Sequence, residues 1–285
     1  MSLILDHINY TYNPGTAFES VALRDVCLKI EDGESVGIIG HTGSGKSTLI
    51  KHMNGLLRAQ SGSVYYNGQD IYDSDFDLRG LRFQVGLVFQ YPEYQLFEET
   101  VLKDVAFGPH NMGYSDKEAA IMAYEALKTV ELEPEVYDQS PFDMSGGQKR
   151  RAAIAGVLAM KPSTLILDEP TAGLDPEGRR KMLDLIKGLC EKDGITVVMV
   201  SHSMEDMADY VNRIVVMDEG RVAMDADPHE VFSREEELRA MGLMVPQVSL
   251  VASKLAARGI DIRTDGITVS ETADAIVEAL RGRYR

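Results

Sequence analysis

The sequence predicts an α/β fold in which a mostly parallel sheet carries an antiparallel β subdomain, an inserted helical subdomain and a small C-terminal extension. Three observations lead to this prediction: short apolar runs of strand length, helical periodicity between those runs, and helices alone after Pro228. With 285 residues, of which 44% are hydrophobic, the chain can bury a sizeable core, and disorder is not expected. This length fits one large domain with a small extension.

The first part of the chain alternates between strand patterns and a helix. Alternating or apolar runs predict strands at 3–12, 21–30, 35–40, 61–71 (a hairpin around Asn67-Gly68) and 84–90. The run at 35–40 has the apolar composition and Gly-rich end of a buried parallel strand, and a helix is expected to follow from Lys46 to Leu57. The acidic stretch 70–77 is expected to be a solvated loop.

Helices dominate the middle and the end of the sequence. A helix-rich segment at about 91–160 interrupts the sheet, with helical periods at 117–130 and 145–160. Further along, strands are predicted at 163–170, 194–202 and 213–222, helices at 176–192 and 204–210, and amphipathic helices at 234–242, 247–259 and 271–282. We therefore expect one domain over 1–229, which includes the helical subdomain, and a helical extension over 230–285.

Composition and charge exclude several classes of protein. The net charge of −16 argues against a duplex DNA binder, because affinity for phosphates needs a basic surface. Cys27 and Cys190 lie far apart without metal-ligand spacing, which favours a reducing compartment and no disulfide framework. The N-terminus lacks a cationic secretory signal, and no run of about 18 apolar residues occurs. We therefore expect a cytosolic chain whose role at a membrane is peripheral.

The stretch 40–48 has the spacing of a phosphate-binding loop, G-x-x-x-x-G-K-[ST], between an apolar strand and a helix. Its residues are Gly40, His41, Thr42, Gly43, Ser44, Gly45, Lys46, Ser47 and Thr48. The glycines let backbone N–H groups face a phosphate, Lys46 places a charge at the outer phosphates, and the Ser47 hydroxyl can hold Mg²⁺. A chance Gly-rich turn is the alternative, and the flanking elements disfavour it. The loop predicts binding of a nucleoside triphosphate with Mg²⁺.

Two carboxylates end the apolar strand at 164–168. Ligands lie at the carboxyl ends of strands in an open parallel sheet, so we expect both acids at the phosphate site. Strand alternation places Asp168 and Glu169 on opposite sides of the strand, which gives them different roles. Asp168 suits the Mg²⁺ shell through water, and Glu169 suits the general base that orients the attacking water. The alternative role for Glu169 is only to cap a turn before Pro170.

The stretch Ser145-Gly146-Gly147-Gln148 begins a predicted helix, whose free N–H groups and dipole form a second anion site. A single chain therefore has one triphosphate cradle but two helix starts that attract phosphate. One physical resolution is that residues 145–148 serve a nucleotide held by another subunit.

In this order, the motifs resemble those of the ATP-binding cassette ATPases, over roughly residues 3–230. The resemblance implies a RecA-like P-loop NTPase fold and binding of ATP with Mg²⁺, and it identifies the SGGQ stretch as the signature that closes over a partner's ATP. It further implies catalytic roles for Gln90, Glu169 and His202, metal ligation by Ser47, Gln90 and Asp168, and a D-loop over Ala172–Asp175 that ends in the nucleotide contact Asp175. Tyr12 resembles the aromatic residue that stacks on adenine. A plain strand tyrosine and a satisfied core histidine remain the alternatives for Tyr12 and His202.

The segment 89–109 is similar to the energy-coupling factor ATPases of the CbiO-like branch, most like the second of the two ATPases in such importers. The resemblance implies uptake of vitamins or transition-metal ions through a membrane T component and a substrate-capturing S component. It also implies that the T component docks near Gln90–Phe97, where Tyr91, Tyr94, Leu96 and Phe97 form apolar cover for a partner helix. Packing of these side chains inside the helical subdomain is the alternative. Met144 stands where the family usually has Leu, a volume-conserving change.

The resemblance implies a peripheral subunit at the cytoplasmic face of the cell membrane that pairs with a paralogous ATPase. A homodimer remains the alternative, and the C-terminal extension either holds the dimer together or covers a sheet edge. No nucleic-acid partner is expected. The rival function is a soluble cassette ATPase acting on DNA or ribosomes, although no long coiled coil, second cassette or basic arm supports it. A GTPase is disfavoured because no N-K-x-D or T-K-x-D guanine motif occurs.

Overall fold

The structure is a computed structural model, and it describes residues 2–283. Within these residues the strands form a four-stranded sheet in the order β2-β1-β4-β5 and a six-stranded sheet in the order β10-β9-β3-β8-β7-β6. The strands are β1 (Leu3–Tyr12), β2 (Ser20–Ile30), β3 (Ser35–Ile39), β4 (Ser61–Tyr66), β5 (Gln69–Asp70), β6 (Val85–Val88), β7 (Thr164–Asp168), β8 (Thr196–Val200), β9 (Arg213–Asp218) and β10 (Arg221–Ala226). The four-stranded sheet is antiparallel, and only β10 runs antiparallel in the larger one. The predicted fold class is confirmed.

Helices cover the larger sheet and form the inserted subdomain. They are α1 (Lys46–Met53), α2 (Leu78–Gln84), α3 (Val101–Met112), α4 (Asp116–Thr129), α5 (Gly146–Leu158), α6 (Pro176–Glu191), α7 (Met204–Tyr210), α8 (Pro228–Ser233), α9 (Glu235–Ala240), α10 (Gln247–Ala257) and α11 (Val269–Arg283). Short 3-10 turns occupy Pro92–Gln95, Pro134–Val136 and Pro141–Asp143. Across the described stretch 2–283, none of these helices combines the length and the apolar character needed to cross a bilayer.

The parallel strands are apolar along their whole length because both of their faces are buried. In β7, Leu165 and Leu167 belong to the cluster beneath α5 and α6, whereas Ile166 belongs to the cluster shared with the antiparallel sheet and α1. Strand β8 divides in the same way, with Val197 and Val198 on opposite faces. This two-sided burial holds the carboxyl ends of β3, β7 and β8 side by side at one edge of the sheet.

Two predicted elements differ from the structure at glycines. Helix α1 ends at Met53 instead of Leu57, because Gly55 adopts a left-handed φ of 67° directly after the C-cap residue Asn54. The strand predicted over 213–222 is a hairpin, since Glu219 and Gly220 both have positive φ and reverse the chain between β9 and β10. Helix α2 was not predicted from the sequence.

The helical subdomain contains α3, α4 and α5, as the helix-rich pattern predicts. Each of these helices begins at a hydroxyl side chain that accepts a hydrogen bond from the first helical turn: Thr100, Ser115 and Ser145 respectively. At the start of α5 the bond is reciprocal, because Gln148 Oε1 accepts a bond from the backbone N–H of Ser145. The orientation of this helix start is therefore fixed by its own sequence.

The beginning of the C-terminal extension packs into the main core. Val231, Phe232, Leu238 and Val245 are buried in the same cluster as the helices of the cassette. By contrast, α10 and α11 keep several apolar side chains exposed, among them Val251, Val269, Val277 and Leu280. Ile267, between α10 and α11, is also buried in this cluster, and the predicted boundary at residue 230 remains a prediction.

Candidate active site

One cleft of about 410 Å³ gathers most of the predicted nucleotide residues. It lies where β3, β7 and β8 end and α1 begins. From the predicted set it is lined by Tyr12, Thr42, Gly43, Gly45, Lys46, Ser47, Thr48, Gln90, Asp168, Glu169 and His202. Ser20, Val21 and Ala22 also line it, and nothing in their sequence pattern marked them as site residues. We call this space the phosphate cleft.

The phosphate loop needs glycine at two positions with positive φ. Gly43 and Gly45 have φ values of 87° and 105°, in the left-handed region that side chains other than glycine rarely adopt. A Cβ on Gly45 would lie 2.4 Å from the carbonyl oxygen of Ala22, so this position has no space for one. The loop can therefore present backbone N–H groups to an anion at the start of α1.

Lys46 lies across the mouth of this loop. Its Nζ donates hydrogen bonds to the carbonyl oxygens of Gly40 at 2.7 Å and His41 at 3.0 Å. Burial lowers the pKa of Lys46, against the opposing effect of the nearby carboxylates of Glu169 and Asp168. An ammonium whose hydrogen bonds go to neutral carbonyl oxygens is a favourable partner for phosphate oxygens, so the loop fits a triphosphate.

The remaining loop residues lie behind or beside the cradle. Gly40 and Ser44 are buried, and within the described part of the chain the Ser44 hydroxyl has no hydrogen-bond partner. The imidazole Nε2 of His41 lies 3.2 Å from Asp218 Oδ1, at the end of β9. Ser44 does not line the phosphate cleft, and its hydroxyl lies behind the loop against Gly40.

The oxygen atoms expected to hold Mg²⁺ meet in the phosphate cleft. Burial raises the pKa of Asp168, and a hydrogen bond to the Ser47 side chain acts in the opposite direction. The side chain of Gln90 lines the same cleft. Hydroxyl, carboxylate and amide oxygens are hard ligands that suit Mg²⁺, so the donor set fits this ion.

Glu169 has the most strongly perturbed carboxyl group in the cleft. Burial, followed by the charge of Asp168, raises its pKa to about 7. Its Oε1 lies 3.3 Å from Nε2 of His202, whose pKa is lowered by burial and then by Lys46. A carboxyl group with a pKa near neutrality can accept a proton from water at physiological pH.

The predicted separation of Asp168 and Glu169 onto opposite sides of the strand is wrong. Strand β7 ends at Asp168, and Glu169 has a left-handed φ of 53°, which breaks the alternation. Both carboxyl groups therefore line the phosphate cleft, and their mutual repulsion contributes to the raised pKa of Glu169.

Tyr12 closes the cleft at the side of the antiparallel sheet. Its hydroxyl lies 3.2 Å from Thr48 Oγ1, and its ring meets Tyr10 edge to face with centroids 4.9 Å apart. Ser20, Val21 and Ala22 lie on β2 at the same cleft. An aromatic face beside small side chains is suited to stacking on a nucleobase.

The signature residues are in a different place. Ser145, Gly147, Gln148 and Asp175 line a second cleft of about 260 Å³, between the start of α5 and the start of α6. Gly146 is exposed at the first position of α5. We call this space the signature cleft. Within one chain, the structure thus brings the two halves of the predicted site to two separate clefts.

An aromatic patch follows Gln90. Tyr91, Tyr94 and Phe97 are exposed, Tyr94 to 84%, and the Phe97 ring packs edge to face against Phe107 on α3. Leu96 is buried in the core of the helical subdomain, so the expectation that it covers a partner helix is wrong. The aromatic patch is defined here as Tyr91, Tyr94, Phe97 and Phe107.

Comparison with known proteins gives a family for this arrangement. The sequence model of the ABC transporter family matches residues 23–172. The chain is 51% identical, over 99% of both chains, to an energy-coupling factor transporter ATP-binding protein, EcfA2, of Caldanaerobacter subterraneus subsp. tengcongensis. It is 54% identical to the EcfA2 protein of Symbiobacterium thermophilum, over 99% of this chain and 98% of the relative. These relatives favour the transport function over the rival role on DNA or ribosomes.

Solved structures agree with the sequence relatives. The cbiO1 protein of Clostridium perfringens, described as part of the ABC transporter complex cbiONQ, matches with a TM-score of 0.73 at 39% identity, over 84% of this chain and 93% of that one. A dimeric ATP-binding cassette in a post-hydrolysis state with ADP and Pi matches with a TM-score of 0.69 at 34% identity, over 79% and 98% of the two chains. The chain described here therefore belongs to the ABC transporter family, as an ATP-hydrolysing subunit of energy-coupling factor transporters.

Proposed function

We propose that two chains of this type share each ATP, the phosphate cleft of one chain facing the signature cleft of the other. The observation that carries this proposal is the separation of the two clefts within one chain. The capped start of α5 presents free N–H groups without a phosphate loop of its own. The dimeric cassette among the structural relatives supports the pairing. A paralogous ATPase is the partner favoured by the sequence resemblance, and an identical chain is the alternative.

In this site, the residues of the phosphate cleft bind the phosphates and Mg²⁺, and they orient and activate the attacking water. The loop N–H groups and Lys46 bind the outer phosphates, while Ser47, Gln90 and Asp168 would hold Mg²⁺, which would supply positive charge to the phosphate oxygens. Glu169 accepts the proton of the attacking water. His202 follows β8, its Nε2 lies 3.3 Å from Glu169 Oε1, and it is placed where it can contact the terminal phosphate.

Replacement of the proposed base tests this assignment. Glu169→Gln keeps the size of the side chain but removes its proton-accepting charge, so we expect ATP binding to persist while turnover falls by about 10²–10⁴-fold. Binding is measured by calorimetry with Mg-ATP and turnover by phosphate release. Glu125→Gln, the same change on an exposed face of α4, is the matched control. Near-normal hydrolysis by Glu169→Gln would remove Glu169 as the base.

We further propose that the aromatic patch receives a helix of a membrane-embedded T component. Exposed aromatic side chains beside Gln90 support this, because a large exposed apolar patch marks an interaction surface and Gln90 extends from it to the phosphate cleft. In this arrangement the subunit lies at the cytoplasmic face of the membrane and powers uptake of a vitamin or transition-metal ion. An S component selects the solute and contacts this chain only indirectly.

Membrane purification with this subunit tagged tests the docking proposal. Tyr94→Ser and Phe97→Ser should reduce recovery of the membrane partner, since each removes exposed apolar area. Tyr114→Ser, in the turn between α3 and α4, is the control because Tyr114 is also exposed but lies outside the patch. Normal assembly of both patch variants would count against docking at this surface.

A further inference from the structure

Arg150 is a buried cation that the proposed mechanism does not use. It lies near the start of α5 with only 3% of its surface exposed. Its Nε and Nη2 donate to the two carboxylate oxygens of Glu93, at 3.2 and 3.0 Å. Its Nη1 donates to the carbonyl oxygen of Pro170 at 3.2 Å and also to that of Ala172. One guanidinium therefore satisfies four acceptors on two separate segments.

The two segments are those that leave the phosphate cleft. Glu93 lies in the turn directly after Gln90 and is itself largely buried, with 17% of its side chain exposed. Pro170 follows Glu169, and the loop continues through Ala172 to Asp175 in the signature cleft. The helix that holds Arg150 begins with Ser145. The guanidinium thus joins the signature helix to the segment of Gln90 and to the loop that begins with Glu169.

The contact with the loop reaches the backbone of Glu169. The N–H of Ala172 donates to the carbonyl oxygen of Glu169 at 3.2 Å, and the N–H of Glu169 donates to Val200 at 3.0 Å. Glu169 is held in a left-handed conformation between these bonds. A displacement of Ala172 would therefore be transmitted to the φ and ψ of Glu169, and so to the position of its carboxyl group.

No other side chain can make this set of contacts. Arginine has five donors in a rigid planar fork, which matches a carboxylate bidentately while leaving an Nη free for carbonyl oxygens. Lysine keeps the charge but is a point donor on a flexible stem, so it cannot hold both segments in one geometry. A purely stabilising ion pair would not need to contact both the segment after Gln90 and the loop after Glu169, as Arg150 does.

We propose that the Glu93–Arg150 pair is a positioning unit. It fixes the positions of Gln90 and Glu169 relative to helix α5, and thereby sets the rate of hydrolysis without contributing to ATP affinity. Neither residue touches the phosphate cleft. Their effect on the reaction passes through the backbone on either side of the site. The proposal rests on the proposed function in that Glu169 and Gln90 act in hydrolysis, and it does not depend on which protein docks at the aromatic patch.

The test measures kcat, KM and ATP affinity for Arg150→Lys, Glu93→Gln and the double variant, in the full chain with its partner ATPase. Each single change should lower kcat by about 10- to 100-fold, because small displacements of catalytic groups carry penalties of this size. KM and affinity should stay within about twofold of the wild type. The double variant should be no slower than the slower single variant, since both changes break the same unit.

Arg213→Lys is the matched control. Arg213 is another partly buried arginine with two carboxylate partners, Asp225 and Glu34, but it lies at the start of β9, at the opposite edge of the sheet from the phosphate cleft. This change should lower the melting temperature and leave kcat unaltered. All rates are compared at a temperature at which each variant is folded by circular dichroism.

Three outcomes overturn the proposal. The first is that folded Arg150→Lys and Glu93→Gln both retain kcat within about twofold of the wild type. The second is a loss of ATP affinity as large as the loss of kcat, which would place the pair in nucleotide binding. The third is independent, multiplying losses in the double variant, because the two residues would then not act through one another.

Discussion

At the scale of single residues, the proposed role of Glu169 as the base depends on the environment of its carboxyl group. A carboxyl group near the surface would ionise well below neutral pH, but burial and the adjacent Asp168 raise the pKa of Glu169 to about 7. The same left-handed conformation that ends the alternation of β7 brings the two acids into one cleft. The motif predicts the identity of the base, whereas its proton affinity results from the fold.

This pKa predicts the pH dependence of hydrolysis. Below about pH 7 the raised pKa leaves Glu169 of the free protein protonated and unable to accept a proton, so kcat/KM for Mg-ATP should rise as the pH increases through about 7. The rate is measured between about pH 5.5 and 8.5, with ATP binding followed over the same range. The residual activity of Glu169→Gln should lack this rise. A rise of the same midpoint in that variant would assign the titration to another group.

At the scale of elements, the phosphate loop depends on Gly43 and Gly45 for two different reasons. Gly45 is the N-cap of α1 and packs against the backbone of Ala22 on β2. Gly43 also has a positive φ, but a Cβ there would meet nothing within 4 Å. An alanine at position 43 would therefore meet only backbone strain, whereas an alanine at position 45 would meet both strain and a steric clash.

Gly45→Ala and Gly43→Ala should differ in effect. Both place a side chain in the left-handed region, at a cost of about 1–3 kcal/mol, but only Gly45→Ala also forces the loop away from Ala22. We expect Gly45→Ala to abolish measurable ATP binding and lower the melting temperature, and Gly43→Ala to weaken binding less. Calorimetry and thermal denaturation are the measurements. Equal effects of the two changes would contradict the steric argument.

At the scale of the whole molecule, the separation of the two clefts supports the proposed pairing of chains, and we expect the C-terminal extension to contribute to it. The signature cleft and the phosphate cleft hold complementary halves of the predicted site. Most of the core lies before Pro246, and after it the described residues add only Ile267 and the partly buried Leu250 to the main cluster, while Val251, Val269, Val277 and Leu280 stay exposed. Removal of the last two helices should therefore leave a folded cassette.

Truncation after Pro246 tests the role of the extension in dimerisation. We expect the truncated chain to fold, to bind ATP, and to have a smaller mass than the full chain by light scattering with ATP present, because apolar contact area is lost. Its hydrolysis rate per chain should fall more steeply on dilution. An unchanged mass and dilution profile would assign α10 and α11 to covering the sheet edge. Full-speed hydrolysis by a strict monomer would contradict the shared site itself.

Much of the fold and of the site could be predicted from local patterns. The parallel strands follow from apolar runs buried on both faces, and the residues of the phosphate loop follow from spacing that is contiguous along the chain. The order of Gly40–Thr48, Gln90, Ser145–Gln148, Asp168–Glu169 and His202 indicates a cassette ATPase. These features depend on neighbours in sequence, so they can be recognised without coordinates.

Other features were decided only by tertiary structure. Asp168 and Glu169 share a cleft because Glu169 has a positive φ although it is not a glycine. Contacts between distant segments bury Leu96 beneath an otherwise exposed aromatic patch, and they also form the bridge from Arg150 to Glu93 and Pro170. No local pattern specifies either of these. Burial also sets the pKa of Glu169, because the cost of a charge is determined by everything that surrounds it and excludes water.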